Sequence, residues 1–104
     1  MDAVLDERYG DLAAEFQREQ VRALRRALLK YGVEPGLAKQ ICGEFSFDLA
    51  MMFDQGEIAL GGDSYRPCVA FTADDEVFYI QPASIDYHDY AFGTTAEIFE
   101  ERGA

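Results

Sequence analysis

The sequence predicts an α+β fold in two layers: two N-terminal helices, a four-stranded antiparallel meander and a short C-terminal helix, in one domain spanning residues 1–104. Three observations carry that expectation. Apolar residues step by threes and fours through the first third of the chain, they alternate in later runs, and turn-forming clusters leave only short links between those runs. Short links between neighbouring strands require antiparallel pairing.

The helical stepping runs from about Asp6 to Tyr31, through Leu5, Tyr9, Leu12, Phe16, Val21, Leu24, Leu28 and Tyr31. Its acids come first (Asp6, Glu7, Asp11, Glu15, Glu19) and its bases last (Arg18, Arg22, Arg25, Arg26, Lys30), the order that suits the helix macrodipole. Gly10 marks a late start, and Gly32 supplies a left-handed end with Val33 folding back on the last turn. Pro35 is pre-set for a first helical position, which opens a second helix through Leu37, Ala38, Ile41 and Cys42, ended by Gly43. The stretch from Phe45 to Phe53 fits both periods. Every odd position is large and apolar, yet Phe45, Leu49, Met52 and Phe53 also share a helical face. We read it as a strand, because Gly43 resembles a helix end and Asp54-Gln55-Gly56 a hairpin turn.

Glu57 to Leu60 gives a further short strand, and Gly61-Gly62-Asp63-Ser64 a turn. The stretch from Tyr65 to Pro82 then reads as a hairpin, with Val69, Phe71 and Ala73 on one strand, Phe78 and Ile80 on the other, and Asp74-Asp75-Glu76 as its tip. Pro67 lacks an N–H and places the start of that strand at an edge or bulge. Thr94-Thr-Ala-Glu97 reads as a capping box opening the last helix. That helix turns Ile98 and Phe99 to the core and Glu100 and Glu101 to solvent, with Arg102 in its final turn and Gly103 after it.

A net charge of −11 disfavours contact with phosphate backbones or anionic membranes. The excess is one-sided. Residues 1–39 carry seven acids and seven bases, and residues 40–104 carry thirteen acids against Arg66 and Arg102. No apolar run approaches the roughly 20 residues of a membrane helix. The first residues lack a secretion-signal pattern, and Cys42 and Cys68 form no CxxC, so we expect a cytoplasmic chain with two small buried thiols. Gly61-Gly62-Asp63 lacks the Lys and the following helix of a P-loop, and there is no Gly-x-Ser-x-Gly.

Chemistry concentrates in Asp86-Tyr87-His88-Asp89-Tyr90, which holds the one histidine of the sequence. A His beside carboxylates can act as a general base or metal ligand. A single His with no companion Cys or His does not make a structural zinc set, and we expect neither metal nor cofactor. Tyr supplies rigid amphipathic contact area and Asp supplies charge complementarity, so a recognition patch is the stronger functional reading. Its bland counterpart is a surface connection with half-buried rings. Asp74, Asp75 and Glu76 extend the acidic surface, or simply form a solvated turn. The arginine-rich end of the first helix reads as a solvated face partly neutralised by Glu15 and Glu19. The expectation is a small acidic protein-binding module, inhibitor-like or immunity-protein-like, that engages a basic protein through Asp74, Asp75, Glu76, Asp86, Tyr87, His88, Asp89 and Tyr90. The alternatives are a small enzyme or metal-dependent domain centred on Asp86, His88 and Asp89, and a structural homo-oligomer built on the Phe-rich strands.

Overall fold

A computed structural model describes residues 2–80 and 87–101, with Asp89 by its backbone alone. Its elements are β1 (Asp2–Leu5), α1 (Tyr9–Lys30), α2 (Pro35–Gln55), β2 (Ile58–Leu60), β3 (Asp63–Tyr65), β4 (Val77–Ile80), a 3-10 turn (Tyr87–Tyr90) and α3 (Ala91–Phe99).

α1 forms where its periodicity places it. Tyr9, Ala13, Gln17, Val21 and Arg25, four residues apart, make one buried line. Gly32 has φ +84, and the N–H groups of Gly32 and Val33 donate to the carbonyls of Leu29 and Leu28, the paired bonds of a Schellman end. Glu34 then caps α2: its carboxylate accepts from Gly36 N at 2.8 Å and Leu37 N at 3.0 Å, which holds its pKa below the usual carboxylate range. Glu34→Ala removes both acceptors from the orphan N–H groups of a first helical turn. A modest fall in Tm on thermal unfolding is the expected result, whereas Glu34→Asp should recover part of it.

α2 corrects the reading of residues 45–53. The helix passes through Gly43 and absorbs the whole Phe-rich stretch, and Asp54-Gln55 is its last turn instead of a hairpin turn. Its buried residues include Ala38, Cys42, Ser46 and Ala50, four apart and all small, so neighbouring helices approach closely. Gly43 belongs to that packing: a Cβ there would lie 2.9 Å from Phe92 Cδ1. At Gly56, just beyond the helix, a Cβ would sit 2.6 Å from the Met52 carbonyl oxygen.

The four-stranded meander is not formed. β1 pairs in parallel with β4 (Asp2 with Val77 through Leu5 with Ile80), and β2 pairs antiparallel with β3 as a separate hairpin. Gly61 and Gly62, at φ +60 and +87, make that hairpin's two-residue loop. Tyr65 ends β3, and the 66–73 run beyond it does not form a strand; it meets β4 through a single bridge between Phe71 and Tyr79. Two things overturned the meander. One expected strand became helix, and the first residues, not read as a strand, took the edge of β4. The buried hydrophobic residues accordingly lie in the helices and the 3-10 turn, and Tyr79 of β4 packs on them from outside. Tyr9, Ala13, Ala50 and Tyr87 form one buried cluster, and Val21, Cys42 and Ile98 form the other.

α3 also starts earlier than its capping-box reading. Thr94 and Thr95 lie buried inside the helix, where Thr94 Oγ1 donates to Gln17 Oε1 (2.9 Å) and Thr95 Oγ1 to the Ala91 carbonyl (2.8 Å). Ile98 is buried and Phe99 packs on it as expected, while the expectations for Arg102 and Gly103 lie outside the described residues. Among the described residues, no helix is long and apolar enough to cross a membrane.

Candidate functional site

Asp54 stands at the last turn of α2 and points at the start of the 3-10 turn. Its side chain is 1% exposed. Oδ1 accepts from Tyr87 N at 3.0 Å and Oδ2 from His88 N at 2.9 Å, with His88 Nδ1 2.6 Å from the same Oδ2. Burial alone would raise the pKa of this carboxyl, but the bonds from the His88 backbone, the His88 ring and Tyr87 N outweigh it and hold the pKa below the ordinary value. An ionised carboxylate can only accept, so the proton between Asp54 and the imidazole sits on Nδ1. The Phe47 ring meets the imidazole edge-on at 5.9 Å. Such a pair fixes a tautomer, which is useful in a general base. Here the same carboxylate also satisfies the two leading N–H groups of the C-terminal helical segment, so a structural role accounts for its position.

Tyr87 is buried, not part of a surface patch. Tyr9 Oη donates to the Val69 carbonyl at 2.8 Å and lies 2.8 Å from Tyr87 Oη, which must therefore donate to it. Burial raises the pKa of both phenols, that of Tyr87 far above its usual value. Gln17 Nε2 donates to the Tyr87 carbonyl at 3.1 Å. Through Gln17, Tyr9 and Asp54, α1 and α2 therefore hold the 3-10 turn from both sides.

The remaining expected site residues do not converge with that turn into one patch. Asp74 is engaged in its own turn: Oδ1 accepts from Glu76 N (2.9 Å) and Val77 N (3.0 Å), which lowers its pKa. Asp75, at φ +63, and Glu76 are exposed beside it. Tyr90 is exposed. Asp86 lies outside the described residues, as does the side chain of Asp89. Among the described residues, no group of three or more His, Cys, Asp or Glu could hold a metal ion. Cys42 is buried and burial raises its pKa, whereas Cys68, expected inside, is exposed.

The arginines of α1 are less solvated than their spacing implies. Arg18 binds Glu97 and Glu15, Arg22 binds Glu101, Glu19 and Glu15, and buried Arg25 donates to the Ile98 carbonyl. The acids of α3 are thus partly consumed by α1, and Glu101 is paired instead of merely solvated.

The sequence reading missed a different surface. Only Lys39, Glu44, Asp48 and Asp54 are charged in the 21 residues of α2, so the helix is apolar nearly all round, a pattern that belongs to helices enclosed on every side. Yet Leu37, Phe45 and Met52, with Ile58 just beyond, are each between 45% and 52% exposed. Leu37, Ile41, Phe45, Asp48 and Met52 fall on one stripe at helical spacing, with Glu44 beside it. The helical alternative for residues 45–53 contained this signal. At the end of the stripe, Asp48, Met51, Met52, Gln55, Gly56, Glu57 and Ile58 line a shallow, open hollow. Compared with known protein families, with curated proteins and with solved structures, the chain matches none.

Proposed function

We propose that the protein is a small acidic binding module that engages a basic protein partner, and that the outer face of α2 is its principal contact surface. The observation that carries this reading is an apolar helix left open along one side and set among carboxylates. Large exposed apolar residues rimmed by charge mark interaction surfaces more often than incidental exposure. The net charge of −11 steers a cationic partner and disfavours anionic ones. Asp75 and Glu76 then contribute to the general acidic field instead of forming one patch with Tyr87 and His88, and Tyr90 is an exposed neutral ring. Among the described residues, a small enzyme centred on Asp86, His88 and Asp89 has the Asp54–His88 pair in its favour, and the capping of the 3-10 turn by Asp54 already explains that pair.

The test is reconstitution. Partners captured from the source cells on the tagged protein are identified, purified and titrated back as a binary complex. A basic partner whose association rate falls steeply with salt is the expected result. Capture of no partner, or of one whose binding is indifferent to salt, overturns the reading.

A further inference from the structure

Resting on the binding-module reading, we infer that the occupant of the α2 face is a cationic amphipathic helix of another protein, laid along Leu37, Ile41, Phe45 and Met52 and anchored in the hollow beside Ile58. The open stripe runs from Leu37 to Met52, roughly 22 Å along a helix axis, so about four turns of a partner helix cover it. The surface offers side-chain knobs at helical spacing, which an opposing apolar stripe matches in the helix-in-groove mode. Its anchor point is lined by Met51 and Met52, whose unbranched side chains adapt to the group inserted between them. Asp48 and Glu57 line that hollow and Glu44 lies one turn before Asp48, all three exposed. A large apolar residue entering the hollow with Lys or Arg on the adjoining turns meets carboxylates at every step.

The alternative occupant, a second copy of this chain, fails on charge. A twofold axis across Phe45 brings the Glu44 and Asp48 carboxylates of both copies around one centre. A twofold axis parallel to the helix sets each acid against its own counterpart. α2 has one base, Lys39, and helical spacing puts it on the opposite side from Asp48, so the helix itself compensates neither arrangement. A cationic partner turns the same carboxylates from a cost into a contact.

The probe is a fluorescent synthetic Leu/Lys peptide with leucines at i, i+4, i+7 and i+11, compared by anisotropy with a scrambled peptide of identical composition. The amphipathic peptide should bind, and become helical by circular dichroism, while the scrambled one binds at least about tenfold more weakly. Phe45→Ser and Met52→Ser should each weaken binding about tenfold with helicity of the protein unchanged, and Leu60→Ser, at an exposed site on the β2–β3 hairpin, should leave it unchanged. Asp48→Lys should slow association at low salt and have little effect at high salt. Equal binding of the two peptides, or insensitivity to Phe45→Ser and Met52→Ser, overturns the helical occupant. The binding-module reading survives that result if the reconstituted basic partner still binds. A dimer in sedimentation equilibrium that Phe45→Ser dissociates overturns the proposal in favour of self-association.

Discussion

Asp54→Ala should lower the unfolding free energy by about 2–4 kcal/mol at neutral pH, because it removes the buried carboxylate shared by two backbone N–H groups and the His88 ring. Urea unfolding, with the midpoint shifted and the slope unchanged, is the measurement. Asp54→Asn keeps an acceptor of similar shape but loses the charge and should fall between the two. The pH dependence has a definite sign. The folded pKa of Asp54 lies below its unfolded value, so the native state holds the carboxylate more tightly in its charged form than the unfolded chain does. Its contribution is complete above the ordinary carboxylate value of about 3.9 and disappears as pH falls through the lower folded value. The difference in stability between wild type and Asp54→Asn should therefore shrink on acidification below about pH 4. A difference that stays constant through that range would mean that Asp54 does not act through its ionised form.

Tyr9→Ala should be at least as damaging, about 3–5 kcal/mol, since Tyr9 is fully buried and its ring meets Phe71 at 5.2 Å and Tyr87 at 6.4 Å. Tyr9→Phe separates ring from hydroxyl. It leaves the Val69 carbonyl without its donor and the Tyr87 hydroxyl without its acceptor, a cost of about 1–3 kcal/mol. Tyr87→Phe should cost less than Tyr9→Phe, because Tyr9 then still donates to Val69. Denaturant unfolding of the three variants gives the order directly. A Tyr87→Phe cost equal to or above that of Tyr9→Phe would reverse the assigned direction of the hydroxyl bond.

Both residues join segments far apart in sequence, and this separates what was legible from what was not. α1 was readable because its signals are local: a three-and-four apolar rhythm, a charge gradient, and Gly32 at the positive-φ position that ends the helix. The start of α2 was equally local in Glu34-Pro35. Residues 45–53 were ambiguous because odd-numbered apolar residues satisfy both periods, and Gly43 resembles a terminator when its neighbour Phe92 is not in view. As a strand, residues 45–53 do not line up with Leu37; as a helix they set Leu37, Phe45 and Met52 on one stripe. The strand pairing was hidden for a related reason. β1 finds its partner more than seventy positions later, and a four-residue strand carries too little pattern to announce a parallel match.

Within the candidate site, composition singled out His88 and its neighbours but gave no link to Asp54, which lies 34 positions away. The cluster Asp86 to Tyr90 looked like a surface patch because its polar residues are adjacent in sequence. A 3-10 turn instead sends Tyr87 inward and brings the His88 ring to a carboxylate of α2.

What the sequence alone determined is the α1 helix with its end, the start of α2, the Gly61-Gly62 part of a turn read through Ser64 whose Asp63 and Ser64 open β3, and an acid excess confined to residues 40–104. These follow from propensities, caps and charge, which act within a few residues. The tertiary structure decided the length of α2, the parallel pairing of β1 with β4, the burial of Tyr87 and the partner of His88. Each depends on which distant group desolvates a side chain or accepts its hydrogen bond, and burial of that kind is set by packing between elements, not by the rhythm within one.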